Sequence, residues 1–236
     1  MKGVILAGGT GTRLYPLTKM INKHLLPVGR APMICHGVEK LRNAGIEEII
    51  LVISKQSAGL YTELFGGGKE WGVRLTYKIQ EEAGGIAQAL SLAEPNMKRD
   101  EKFVVLLGDN LFEDSLTPYV QSFQNQGQGA RVLLKKVHDP KRYGVPILEE
   151  NKILRIEEKP AEPKSNYCVT GIYMYDTTVF NKIRTIKPSG RGELEITDVN
   201  NVYASEGQLA YDILDGWWTD AGTFQSLYQA SDWLMK

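Results

Sequence analysis

The chain has 236 residues, enough to bury a sizeable core as one large α/β domain or two small ones. Its 28 basic and 28 acidic residues balance, so there is no general basic field for nucleic acid. No apolar run approaches the ~20 residues of a membrane helix, and the apolar stretch before the first glycines is too short for a signal peptide. The expected setting is the cytoplasm. Cys35 and Cys168 are far apart and in no metal-type spacing, so both are read as reduced structural thiols.

The first element is Val4–Ala7, a short buried strand that breaks into Gly8-Gly9-Thr10-Gly11-Thr12-Arg13. Glycines let the backbone approach a ligand closely, and successive exposed N–H groups form a concavity suited to phosphate. Arg13 adds a permanent charge with a planar fork of donors, and Lys23 follows. The dinucleotide fingerprint needs a third glycine where this chain has Leu14, and the Gly-Lys-Ser/Thr of a P-loop is missing. Two cations beside bare backbone suggest a polyphosphate.

Lys23–Pro27 reads as extended, with a turn at Gly29. Pro32 then opens a helix with Ile34, Val38 and Leu41 on one face, and Asn43-Ala44-Gly45 ends it. Glu48–Ser54 is the next strand. Strand, helix and strand make a βαβ unit with a parallel pair, which puts the glycine loop at the carboxyl edge of the sheet, where ligands of such folds bind. A short helix over Leu60–Phe65 precedes Gly66-Gly67-Gly68, read as a flexible loop. Val73–Gln80 is a strand. Gly84-Gly85 leads into a helix over Ile86–Leu90 with a bare N-terminus. Phe103–Leu107 is the most strongly buried strand and ends in Gly108-Asp109-Asn110. A carboxylate there caps a turn or points into the ligand crevice. With a polyphosphate loop on the same edge, metal binding is the favoured reading, because Mg²⁺ takes one or two carboxylates plus substrate phosphates.

Thr117–Gln126 is a helix and Ala130–Val137 a strand. The pattern then turns antiparallel: Tyr143–Glu149 and Ile153–Glu158 alternate about Glu150-Asn151. Tyr167–Tyr175 is a strand, Asn181–Ile186 and Glu195–Tyr203 are helices, Leu209–Leu214 is a strand and Phe224–Leu234 a closing helix. The expected division is a nucleotide half over 1–129 and an acceptor half over 130–236, sharing one continuous sheet. Trp217-Trp218 reads as core packing beside a metal loop, and His24, His36 and His138 as structural. The polar sheet-edge candidates are Arg13, Lys23, Gln80, Asp109, Glu158, Lys159, Arg191 and Asp220. Cations and two carboxylates, without a Ser-His or Cys-His arrangement, suit nucleotidyl transfer better than hydrolysis through a side-chain nucleophile.

Along nearly its whole length the chain carries GGTGTRLYPLT, KHLLPV, GIAQA, LLGDN, RYGV, EEKPAEPKSNYCVTGIY, RGELEITDVN and WTDAGT. By these motifs it resembles the sugar nucleotidyltransferases, and EEKPxxPKSNY, TGxY and RGELEITDVN are most similar to their thymidylyl branch. The resemblance implies a Rossmann-like three-layer α/β fold with a mixed, mainly parallel central sheet. It implies the reaction of dTTP with α-D-glucose 1-phosphate to give dTDP-glucose and pyrophosphate, with Mg²⁺, in a homo-oligomer (tetramer or dimer) serving dTDP-rhamnose synthesis. It implies that Leu6, Gly8, Gly9, Thr10, Gly11, Thr12 and Arg13 surround the nucleotide, with Lys23 at the α-phosphate. Gln80 and Gly85 read the thymine edge, and Asp109 and Asp220 hold the metal. Gly144, Glu158, Lys159 and Val169 line the sugar phosphate pocket, where Lys159 and Arg191 hold the phosphate; Arg13, Lys23 and Lys159 are the catalytic set. The sequence departs from the family at Ala221, where Thr is usual, and at His24, where Gln is common. Longer members continue past the position of Lys236 with helices that help build oligomer contacts and an allosteric nucleotide site, which leaves feedback control and the tetramer open. The rival readings are a uridylyltransferase, a non-catalytic nucleotide-sugar-binding homologue and an oxidoreductase.

Overall fold

The computed structural model describes all 236 residues. Strand β1 (Lys2–Ala7) lies inside a seven-stranded sheet. Its neighbours are β4 (Glu48–Ser54) and β6 (Lys102–Leu107), both parallel to it. Two minor strands, β2 (Pro27–Val28) and β3 (Ala31–Pro32), pair around the Gly29 turn. Beyond β4 lies β5 (Arg74–Gln80), parallel and at the edge. On the other side β11 (Tyr167–Asp176) runs antiparallel between β6 and β8 (Ala130–Lys136). Strand β12 (Leu209–Ile213) closes the far edge parallel to β8. One strand of seven runs against the rest, so the sheet is mixed and mainly parallel, and it takes strands from both sides of residue 129.

Alternation along β1 sorts two cores. Ile5 and Ala7 pack beneath α1 (Met33–Asn43), α2 (Ala58–Phe65) and α4 (Thr117–Asn125). Val4 and Leu6 face α3 (Ile86–Ser91), α5 (Val179–Ile183) and α6 (Ile196–Ser205). The side chains of Val4, Ile5, Leu6 and Ala7 are all buried, as a strand covered on both faces requires. Beside this three-layer body stand two small sheets. The hairpin β9 (Gly144–Glu149) and β10 (Lys152–Glu158) turns at Glu150 and Asn151, both in the left-handed region at φ 46° and 64°. The pair β7 (Asn110–Phe112) and β13 (Trp218–Asp220) leads to the closing helix α7 (Phe224–Met235).

Four expectations change. Lys23–Leu25 is a 3₁₀ turn rather than extended, because the Asn22 side chain caps it by accepting from the His24 N–H at 3.0 Å. Gly66–Gly68 is an ordered turn, fixed by Gly68 N–H to Phe65 O at 2.8 Å and Leu75 N–H to Gly67 O at 3.1 Å. The helix expected at Asn181–Ile186 begins at Val179, where the Asp176 carboxylate accepts from the Thr178 N–H at 3.0 Å, and stops at Ile183. The N-terminus of α3 is not bare: the Ala87 N–H donates to Leu194 O at 3.1 Å. The β7–β13 pair carries no sequence signal, since its partners are more than a hundred residues apart. No helix is long and apolar enough to cross a membrane.

Candidate active site

The carboxyl ends of β1, β5 and β6, the hairpin β9–β10 and the start of α6 surround one cleft of about 680 Å³. That volume is in the range of ligand-binding clefts. The glycine loop forms one wall. Gly11 sits at φ 70°, and a Cβ there would press on Lys23 Cβ and Thr18 Cγ2, both at 2.9 Å, so only glycine fits. The Thr18 hydroxyl donates to Gly11 O at 2.8 Å and the Asn22 amide donates to Gly9 O at 3.3 Å. The loop is thus held shaped without ligand. Gly8, Gly9, Thr12 and Arg13 line the cleft, with Leu6 beneath them, whereas Thr10 and Gly11 do not reach it.

Asp109 follows β6, and its own strand end is tied to β1 by the Gly108 N–H to Leu6 O bond at 2.9 Å. Asp220 lies across the small ladder, paired with Asn110, and the Ala221 N–H donates to Asp109 O at 2.8 Å. Two carboxylates 111 positions apart therefore line one cleft. Asn110 organises the junction: its Oδ1 accepts from Gly171 N–H at 2.7 Å and from Trp218 Nε1–H at 2.8 Å, and its amide donates to Asp109 at 3.0 Å. Trp218 is thereby core, stacked edge-on against Tyr143 at 5.4 Å. Lys23 pairs directly with Asp109. Burial by itself would raise the Asp109 carboxyl, but Lys23, His24 and the Asn110 bond outweigh it and hold the group below its ordinary range. Asp220 goes the other way, raised by burial and by the charge of Asp109, against the opposing effect of Tyr143, Arg142 and Arg13. Two like charges kept close in a half-dry cleft are what a divalent cation relieves. No cluster of three His, Cys, Asp or Glu side chains stands ready, so a metal here would complete its shell from ligand oxygens and water.

The opposite wall comes from the hairpin and α6. Gly144 packs so closely that a Cβ would lie 3.0 Å from Ile156 Cγ2. Glu158 accepts from the Thr197 hydroxyl at 2.6 Å. Lys159 follows at φ 45°, its N–H donating to Tyr143 O at 3.0 Å and its Nζ 3.1 Å from Glu158. Arg191 reaches Glu195, Glu193 and Glu158 rather than standing free. Val169 and Gly85 also line the cleft. Gln80 donates to Gln88 Oε1 at 2.7 Å and lies hard against Gly8. Sequence reasoning missed Asn110, Arg142, Glu195 and Thr197, although the motifs LLGDN, RYGV and RGELEITDVN contain all four. His24 is buried, and its Nδ1–H donates to Asn22 Oδ1, 2.7 Å away, as a structural histidine does.

Cations set against paired carboxylates, with no nucleophilic side chain beside a base, suit transfer of a nucleotidyl group between phosphates; the class is nucleotidyltransferase. The nucleotidyl transferase family model matches residues 2–236, and the chain belongs to that family. The glucose-1-phosphate thymidylyltransferase of Neisseria meningitidis serogroup A is 41% identical over 238 residues, 99% of this chain and 82% of the relative. The enzyme of the same name from Mycobacterium tuberculosis is 42% identical over 238 residues, again 99% and 82%. Among solved structures, a Bacillus anthracis protein assigned as a glucose-1-phosphate thymidylyltransferase, in complex with a sucrose, superposes with a TM-score of 0.96 at 55% identity, covering 100% of this chain and 96% of that one. A UDP-glucose pyrophosphorylase complexed with UDP-glucose gives 0.84 at 27% identity, covering 98% and 97%.

Proposed function

We propose that this chain transfers a thymidylyl group from dTTP to α-D-glucose 1-phosphate, giving dTDP-glucose and pyrophosphate. The observation that carries the reading is that two sets of cations, Arg13 with Lys23 and Lys159 with Arg191, line one cleft from opposite walls. A reaction between two anions needs such a pair of sites. The thymidylyl choice is supported by relatives of that name at about 40% identity over the whole chain. On this reading residues 1–129 bind the nucleotide and 130–236 the sugar phosphate, and the assembly is a cytoplasmic homo-oligomer serving dTDP-rhamnose synthesis.

A phosphate oxygen of glucose 1-phosphate attacks the α-phosphorus of dTTP. The new P–O bond forms as the bond to the β-phosphate breaks, and pyrophosphate leaves with the electron pair. The attacking monoester is already mostly ionised at neutral pH, its second pKa being about 6, so no general base is needed. The protein's part is alignment and charge stabilisation. Gly8, Gly9 and Thr12 offer backbone to the triphosphate, and Arg13 and Lys23 balance the charge that develops on the α-phosphate and the leaving group. Lys159 and Arg191 hold the acceptor phosphate, while Glu158 and the Gly144 backbone face the sugar. Gln80 and Gly85 border the base. Asp109 and Asp220 would hold Mg²⁺, which when bound neutralises phosphate charge and polarises the phosphorus for attack.

The test is pyrophosphate release with dTTP or UTP against a panel of sugar 1-phosphates. Fast release with dTTP and glucose 1-phosphate is expected. Equal rates with UTP would remove the thymidylyl assignment, and no release with any pair would favour a nucleotide-sugar-binding homologue.

A further inference from the structure

Arg142 precedes β9 and was drawn into no role by its sequence. Its guanidinium lies 3.1 Å from Asp220 Oδ2, the oxygen that Arg13 Nη1 also approaches, at 4.0 Å. The other oxygen of the same carboxylate accepts from the Tyr143 hydroxyl at 2.8 Å. Three cations, Arg13, Lys23 and Arg142, thus bear on two carboxylates. Asp109 is matched by Lys23, which leaves two guanidinium groups converging on one carboxylate oxygen.

This arrangement is stable only while Asp220 faces the arginines. Asp220 is also half of the carboxylate pair suited to a divalent cation. Once Asp220 turns its charge to a metal, two guanidinium groups remain side by side, repelling each other, at the rim of a cleft already more positive. Something anionic must take the place of the carboxylate. Both arginines are free to move, the Arg142 side chain being 44% exposed and the Arg13 side chain 57%, whereas the Asp220 side chain is only 15% exposed, so the carboxylate releases them when another cation takes their place. A guanidinium fork fits a phosphate with two parallel bonds. Arg142 also stands in the residue run that supplies Tyr143 and Gly144 to the cleft, its guanidinium carbon 5.5 Å from the Tyr143 ring, so the ring limits where it can swing.

Resting on the nucleotidyl-transfer reading above, we infer that Arg142 is a further substrate-binding residue: stored on Asp220 in the free protein, it exchanges that carboxylate for a substrate phosphate and grips it beside Arg13. The phosphate belongs either to the triphosphate or to the sugar 1-phosphate. The two share this chemistry, and the arms of the test separate them.

The full chain and its R142Q and R142K variants are compared by equilibrium dialysis with dTTP, by the KM for glucose 1-phosphate, and by Mn²⁺ binding without nucleotide. In R142Q the dTTP affinity falls, or the KM for glucose 1-phosphate rises, on the order of tenfold or more, the scale of one lost charge-assisted contact; the arm that moves identifies the phosphate. Mn²⁺ binding holds or tightens, because Asp220 has lost a competitor. R142K, which keeps the charge without the fork, falls between. Unchanged dTTP affinity together with unchanged KM overturns the inference. So does Mn²⁺ binding that weakens in step with the substrates, since Arg142 would then only hold Asp220 in place. A wild-type chain that binds no dTTP would overturn the underlying reading of the cleft, a result distinct from either variant outcome.

Discussion

Arg191 and Glu195 are joined by a two-pronged ion pair, Arg191 Nη2 lying 2.9 and 3.0 Å from the two carboxylate oxygens. Glu195 ends a turn closed by Ser189, whose hydroxyl donates to the same carboxylate at 2.7 Å. The segment therefore holds a cation at the cleft with its charge matched by carboxylates. Replacing Arg191 by Ala should raise the KM for glucose 1-phosphate by about 10- to 100-fold, the scale of one or two bonds to a charged group. Binding of dTTP, read by dialysis, should hardly change. An equal loss on both substrates would mean that Arg191 shapes the whole cleft rather than one phosphate site.

Arg13 and Lys23 should separate by stability, not by rate. Each contributes a preorganised positive charge, so Arg13→Ala and Lys23→Ala should each cut turnover at least ~100-fold. Arg13 is largely exposed and can be removed at little cost to folding. Lys23 is the direct partner of the buried Asp109. Removing it strands a buried carboxylate, a change on the scale of about 3–5 kcal/mol. Thermal melts should show Lys23→Ala clearly destabilised and Arg13→Ala near wild type. Near-normal turnover in both would sink the phosphate-cradle assignment.

Local signals in the sequence carried most of the fold. The Glu150-Asn151 turn, the apolar run of β1 and the proline before α1 each depend on neighbours a few residues away. Lys23–Leu25 was misread because its shape depends on the Asn22 side chain turning back on the chain. The cleft was legible where charge follows a buried strand, as at Asp109. Asn110 was not, because its partners Gly171 and Trp218 are brought to it only by the folded sheet. The occupancy of Arg191 by three glutamates was hidden for the same reason, although all four residues stood in or beside the motifs.

Gly85 should be a stability position as well as a ligand-side one. It sits at φ 98°, and a Cβ there would lie 2.5 Å from Leu194 O and 2.8 Å from Leu194 N. The Gly85→Ala change forces both backbone strain and separation of α3 from the 193–194 segment. A cost of about 1–3 kcal/mol, at roughly 2–4 °C per kcal/mol for a chain of this size, lowers Tm by several degrees. Gly127→Ala is the control, because nothing lies within 4 Å of a Cβ built there. Equal melting of the two variants would refute the argument.

Cys35 and Cys168 should be chemically silent in the folded chain. Both are fully buried and unpaired. Burial pushes each thiol up to about 12, so neither offers thiolate at neutral pH. A chromogenic disulfide reagent should find no thiol in the native protein and two after addition of denaturant. Rapid native labelling would show that the core opens around one of them.

His24 should make the fold sensitive to mild acid. It lies buried between Asn22 and the Lys23–Asp109 pair, and burial first, then the Lys23 charge, lowers its pKa from 6.5 to about 3. The sign follows from proton counting. Below pH 6.5 the unfolded chain binds a proton at this histidine and the folded chain does not, so the unfolded state is favoured as pH falls. The contribution is whole above pH 6.5 and is lost progressively toward pH 3. Carboxylates such as Asp109, held below their ordinary range, add acid sensitivity of their own at lower pH. His24→Gln removes only the histidine part. Denaturant melts at pH 7.5 and pH 5 should therefore show a smaller loss of stability in the variant than in the wild type. An identical loss in both would mean that His24 takes up its proton while folded, and that the buried pocket around it opens more readily than its packing implies.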